Sequence, residues 1–247
     1  MAGIESIFLV GFTFLLAGFI KGIIGLGLPT ISLALLTTGF GLLPAMGLMI
    51  IPSLVTNLWQ AFQGGALLKI ARRFWLMMLT VVAGVWIGGK ILIKSDMIFL
   101  TGLLGVLLCA YSIIGLTSYK ISAPGKSEHI LSPLVGVISG VLTGLTGTFV
   151  IPGVLYLQSI GLDRNMLIQT MGVLFSVSTL ALAITLGHNN LFSLNIGAYS
   201  LGGVAPAIIG MILGQKVRSK LSENIFTKVF FTSLLLLGFY ITCKAFI

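Results

Sequence analysis

The sequence predicts an all-α integral membrane protein made of two inverted repeats, each with a glycine-broken re-entrant hairpin and three transmembrane helices. Three observations carry this prediction. The first is composition: of 247 residues, 57% are hydrophobic and 8% are charged, against about 25% charged in a soluble domain. Mean hydropathy is +1.16. The second is that apolar runs of spanning length cover nearly the whole chain, which leaves no room for a sizeable soluble domain. The third is a glycine-broken apolar segment that occurs twice, near the start of each half. Broken apolar segments at matching places in two halves point to a transporter's substrate site. The net charge of +9 then reads as an orientation signal, because Lys and Arg collect on the cytoplasmic side. It does not suggest nucleic acid.

The first block, 5–37, is too long for one crossing and too short for two, at about 20 residues per spanning helix. It carries Gly18-Phe-Ile-Lys-Gly22-Ile-Ile-Gly25-Leu-Gly27-Leu-Pro29-Thr30, so it is predicted to break there and turn back. It lacks a basic n-region, so no cleavable signal is expected. Blocks 44–63, 73–93 and 97–118 each match one crossing. The hydrophilic stretch Tyr119 to Ile130, with Pro124-Gly125 and Lys126, is a linker. Block 131–160 is again over-long and carries Gly136-Val-Ile-Ser-Gly140-Val-Leu-Thr-Gly144-Leu-Thr-Gly147-Thr-Phe-Val-Ile-Pro152. Blocks 165–187, 194–215 and 225–243 each match one crossing. Gly18-xxx-Gly22 pairs with Gly136-xxx-Gly140, Pro29 with Pro152, Met46-Gly47 with Met171-Gly172, and Gly84-xxx-Gly88-x-Lys90 with Gly210-xxx-Gly214-x-Lys216. The offsets drift from 118 to 126. Ordered anchors of this kind predict a duplication, with repeats over 1–118 and 131–247 and a linker over 119–130.

Basic residues choose the topology. With every long block as a single crossing, one side collects six of them and the other seven. With each long block returning to its own side, Lys69, Arg72, Arg73, Lys120, Lys126, Arg164, Lys216, Arg218, Lys220 and Lys228 share one side. Lys90, Lys94 and Lys244 take the other. Ten against three satisfies the positive-inside rule. Three crossings per repeat invert the second half, and both termini then face outside.

The broken glycine segments, the two-fold repeat and the length together resemble the TauE/SafE sulfite exporter family, over essentially the whole chain. The most specific pieces are Gly22-Ile-Ile-Gly25-Leu-Gly27-Leu-Pro29 and Gly140-Val-Leu-Thr-Gly144-Leu-Thr-Gly147. Leu26, Leu145 and Thr146 interrupt the longer glycine run of many members. The resemblance implies a bacterial inner-membrane permease that exports a small sulfur-containing anion such as sulfite or an organosulfonate.

Candidate site residues follow from the breaks. Lys21 is the basic residue inside the first broken block, and a cation at membrane depth is expensive and usually functional. Its alternative is to snorkel along its aliphatic stem. Gly25, Gly27, Gly144 and Gly147 let backbone approach a ligand, and a half-helix beginning after each break offers its positive end. Thr30, Thr143, Thr146 and Thr148 add hydroxyl donors, completing an oxyanion cradle suited to sulfite or a sulfonate. Close helix packing is the competing role for all these glycines, and the favoured one for Gly84, Gly88, Gly210 and Gly214. Asn57 and Gln60 share a helix face and either line a pathway or bond between helices. Trp59, Trp75 and Trp86 read as interface anchors. Cys109 and Cys243 read as buried free thiols.

A membrane enzyme would need a nucleophile with a base, or a metal cluster. The five acids lie at segment ends or in loops, His129 and His188 lack neighbours at metal spacing, and no phosphate-binding GxxxxGK[ST] loop occurs. No enzyme activity, metal or cofactor is expected. The expected partners are a small anionic substrate and the lipid bilayer. An anion channel, or a transporter of another small carboxylate or a neutral solute, is the alternative.

Overall fold

Backbone polar groups in hydrocarbon must be satisfied within each segment, so a chain this apolar is expected to be helical. The computed structural model describes residues 3–117, 122–218 and 222–246. Ala2, Tyr119, Lys120 and Lys220 lie outside the described residues. The helices are α1 Ile4–Ile24, α2 Leu28–Phe40, α3 Leu42–Phe62, α4 Leu67–Leu92, α5 Met97–Thr117, α6 Glu128–Thr146, α7 Leu155–Ser159, α8 Arg164–His188, α9 Leu194–Gly202, α10 Val204–Val217 and α11 Glu223–Phe246. A 3-10 turn at Gly125–Ser127 precedes α6, and a π-helical turn at Val150–Val154 precedes α7. No strand occurs among the described residues. Eight helical stretches there are long and apolar enough to cross a membrane, α9 and α10 counting together as one.

Each over-long block breaks at its glycines, but unequally. α1 has 21 residues and is about 31 Å long at 1.5 Å per residue. α2 has 13, about 20 Å. All five acids stand at helix N-termini: Glu5, Glu128 and Glu223 in first turns, Asp96 before α5 and Asp163 as the N-cap of α8. At the starts of α1, α5, α6 and α8 a carboxylate suits the positive end of the helix dipole. His129 and His188 are exposed, as are Trp59, Trp75 and Trp86. Cys109 and Cys243 are free but half-buried, not fully buried as the apolar runs suggested.

The chain folds as two compact units, and each draws on both halves of the sequence. The first comprises Met1–Pro52, Asp96–Tyr119 and Phe192–Ile247. Here α1 packs parallel to α9 and α10. Gly203 faces Phe14, Gly18 faces Ala207, and Gly22 faces Met211 and Gly214. The first half of α3 also runs parallel to α9, with Gly47 against Ile196 and Leu48 and Ile51 bonded to Ser200. α2 folds back antiparallel on α1: a Cβ at Gly39 would lie 2.8 Å from Leu9 Cδ2, and Ile31 and Leu35 line one groove with Ile20 and Leu16. α5 and α11 pack antiparallel, with Gly105 against Thr242 and Gly115 against Phe231.

Pro52 bends α3. It has no N–H to donate to the carbonyl four residues earlier, which belongs to Leu48. Ser200 repairs the gap: its hydroxyl donates to the Leu48 carbonyl at 2.8 Å and accepts the Ile51 N–H at 3.1 Å.

The second unit comprises Ser53–Ser95 and Lys120–Leu191. α6 packs parallel to α4 through Gly140 on Gly84 and Gly144 on Gly88, and Arg73 near the start of α4 forms a bidentate pair with Glu128 at 2.6 and 2.7 Å. α8 also runs parallel to α4. Its Gln169 accepts the Ala66 N–H at 3.1 Å and donates to the Ala61 carbonyl at 2.8 Å, and its Thr185 meets Gly89. The arm after the second break returns to the start of α6. The Tyr156 hydroxyl lies 2.6 Å from the Ser132 hydroxyl and donates to the Glu128 carbonyl at 3.3 Å.

The two units repeat one packing scheme. Gly22 faces Met211, Gly214 and Gln215, while Gly144 faces Val85, Gly88 and Gly89, and each pair of partners differs by 126 in number. Gly22 therefore matches Gly144, not Gly140 as the sequence anchors suggested. The offset in the broken helices is 122, one helical turn from 118. A glycine every fourth residue offers two equally good sequence registers, and the packing surface selects between them.

Candidate functional site

In the first unit, Gly25 caps α1 at φ +83° and donates to the Lys21 carbonyl at 2.8 Å. Two residues on, Gly27 takes φ +108° as the N-cap of α2, and its carbonyl accepts the Ile31 N–H at 2.8 Å. Both conformations lie in the left-handed region that glycine adopts at little cost. Pro29, lacking an N–H, suits the first turn. The Leu28 and Thr30 N–H groups precede the first intrahelical bond. A Cβ at Gly27 would face Ile31, Ile20 and Phe230 at 3.3 to 3.7 Å. Backbone angle, more than space, is therefore what requires glycine at this position.

Lys21 is buried at 1% exposure, and Leu26, Gly27 and Thr30 beside it are also buried. The structure thus gathers Lys21, Gly25, Gly27 and Thr30 around one break. The lysine does not snorkel to an exposed position, although its stem would allow it.

In the second unit, Gly147 caps α6 at φ +77° and donates to the Thr143 carbonyl at 2.8 Å. Thr143 therefore stands where Lys21 stands in the first unit. Its hydroxyl donates to the Ser139 carbonyl at 2.7 Å and the Thr148 carbonyl at 3.1 Å, tying the helix to the segment beyond the break. Thr146 donates to the Leu142 carbonyl at 2.7 Å. Thr143, Thr146, Gly147 and Thr148 lie together and buried. Gly144 points elsewhere, onto α4, where a Cβ would lie 2.8 Å from the Gly89 nitrogen. Its absent side chain serves close packing.

Asn57 and Gln60 are buried on the second half of α3. A Cβ at Gly172 on α8 would lie 2.9 Å from Gln60 Cβ and 3.0 Å from the Asn57 carbonyl oxygen. No group of three or more His, Cys, Asp or Glu able to hold a metal occurs among the described residues. Sequence reasoning missed Ser139, Tyr156 and Ser200. Ser139 could have been found as the residue one turn before Thr143, and Ser200 gave no local signal at all.

The family model described as sulfite exporter TauE/SafE matches residues 9–241. The chain belongs to the TauE/SafE sulfite exporter family. This is a family of membrane transporters, not of enzymes, and at family level it points to a membrane exporter of sulfite or a related sulfur anion. No curated protein and no solved structure matches the chain. The TauE/SafE match and the eight apolar helical stretches together make this a multi-pass membrane protein.

Proposed function

We propose that this TauE/SafE member exports sulfite or an organosulfonate across a bacterial inner membrane, binding the anion at the first break. The observation that carries the reading is Lys21, an ionisable side chain buried beside the left-handed turn that opens α2. An intramembrane ionisable residue is a functional-site hypothesis by default. The backbone N–H groups of Leu28 and Thr30 at the head of α2 complement it, since a helix N-terminus favours an anion. Thr30 adds a hydroxyl. The second break has hydroxyls but no cation, so the anion belongs to the first.

The accompanying topology is two inverted repeats, 1–118 and 131–247, each with a re-entrant hairpin and three crossings, and both termini outside. Helix directions support it. α1 and α3 are consecutive long helices yet both run parallel to α9. α6 and α8 are consecutive long helices yet both run parallel to α4. A chain that keeps its direction across two successive long helices has to return between them, and α2 and the Val150–Ser159 arm are those returns. The ten-to-three division of basic residues agrees.

The test is counterflow in liposomes with labelled sulfite, sulfoacetate, taurine, sulfate and acetate. Sulfite or a sulfonate should exchange, and acetate should not. Lys21→Met keeps the stem and removes the charge. At an effective dielectric of 20, a unit charge 4 Å away contributes about 4 kcal/mol, so the Met variant should lose at least tenfold in exchange, with partial rescue by Lys21→Arg. Wild-type exchange by the Met variant would refute the reading.

A further inference from the structure

The second break has a chemistry that an anion cradle does not explain. Hydroxyls inside helices usually donate to a carbonyl three or four residues back, and here Ser32, Ser112, Thr143, Thr146, Thr170, Ser176 and Thr185 do so. Ser139 lies on the same helix face as Thr143, at 0% exposure, and its hydroxyl has no protein hydrogen-bond partner, as is also true of Thr13, Thr37 and Ser53. Thr148, just past the cap at 1% exposure, is the same. Thr143 joins them, because its hydroxyl bonds both the Ser139 and the Thr148 carbonyls. That single proton leaves the Thr143 oxygen lone pairs available. α6 also ends here, so its last carbonyls present the negative end of the helix dipole.

We infer that these oxygens bind a bare alkali cation, sodium, at the end of α6. The ligands are neutral: the hydroxyls of Ser139, Thr143 and Thr148 with C-terminal carbonyls of α6. Hard cations take oxygen ligands, and the C-terminal ends of broken transporter helices are suited to hold them. A proton would need a titratable group. Residues 139–148 include no Asp, Glu, His or Lys, and the buried ionisable Lys21 belongs to the other break. Where the first unit has Lys21 the second has Thr143, so the matched breaks are of opposite electrostatic character.

The test is thermal unfolding of the purified full chain in NaCl, KCl or choline chloride at equal ionic strength. No sulfur anion is present, so the result does not depend on the Lys21 reading. NaCl should raise the midpoint saturably over choline chloride. Ser139→Ala and the isosteric Thr148→Val should each raise the NaCl concentration for half the shift at least tenfold, while Thr148→Ser and Lys21→Met keep it. If an alanine or valine variant fails to fold, Ser139→Cys substitutes a soft sulfur at similar volume and should weaken the sodium response in the same way. Equal wild-type midpoints in all three salts, or a sodium response unchanged in the folded variants, would overturn the proposal.

Discussion

Gly144→Ala measures how tightly the broken helix is held. Its Cβ would lie 2.8 Å from the Gly89 nitrogen and 2.9 Å from the Gly88 carbonyl carbon, where ordinary contact begins at 3.4 Å. The shortfall is about half an ångström or more against backbone, which cannot rotate aside as a side chain can. Overpacking of this kind costs about 1–3 kcal/mol, and several atoms met at once favour the upper end. Alanine recovers about 1 kcal/mol of helix propensity over glycine, so the net loss is about 2 kcal/mol, roughly thirtyfold in the folding equilibrium. Gly22→Ala should lose about as much, because its Cβ would meet the matching atoms of α10, at 2.8 Å from the Gln215 nitrogen and 2.9 Å from Gly214 Cα. Gly11→Ala is the control: nothing lies within 4 Å of its Cβ position, so it should be neutral or stabilised by up to about 1 kcal/mol. Reversible denaturant unfolding in mixed micelles reads all three. If Gly144→Ala and Gly22→Ala were as stable as Gly11→Ala, the close helix contacts and the matched register would both be wrong.

Ser200→Ala should destabilise the protein by about 0.6–2 kcal/mol, the range for a hydrogen bond between membrane helices. In the Pro52→Ala background, where residue 52 can again donate to the Leu48 carbonyl, the loss should shrink; additive losses in a double-mutant cycle would reject the repair role. For topology, Ser127→Cys, exposed in the turn before α6, should react with an impermeant label from the cytoplasmic face, after Cys109 and Cys243 are changed to serine. Labelling from the outer face alone would reject the hairpin topology.

Much of the architecture is local and was legible in residue order. Block lengths count helices because each must satisfy its own backbone in hydrocarbon. The over-long blocks, with Gly25, Gly27 and Gly147, located both breaks because left-handed backbone angles favour glycine. The placement of all five acids at block ends followed from the cost of charge at membrane depth. What residue order left open depends on surfaces far apart in the chain. Gly136, Gly140 and Gly144 recur every fourth residue, so two registers against the first half of the chain look alike until α4 selects one through Gly84 and Gly88. That register sets Thr143 in the place of Lys21 and assigns Gly144 to packing. Ser200 looks like any helix serine until α9 carries it to the gap left by Pro52. The pairing of helices from the two halves of the chain is equally non-local: α1 finds its close-packed partner in α10, and α6 finds its own in α4, because small-residue faces on distant segments fit one another.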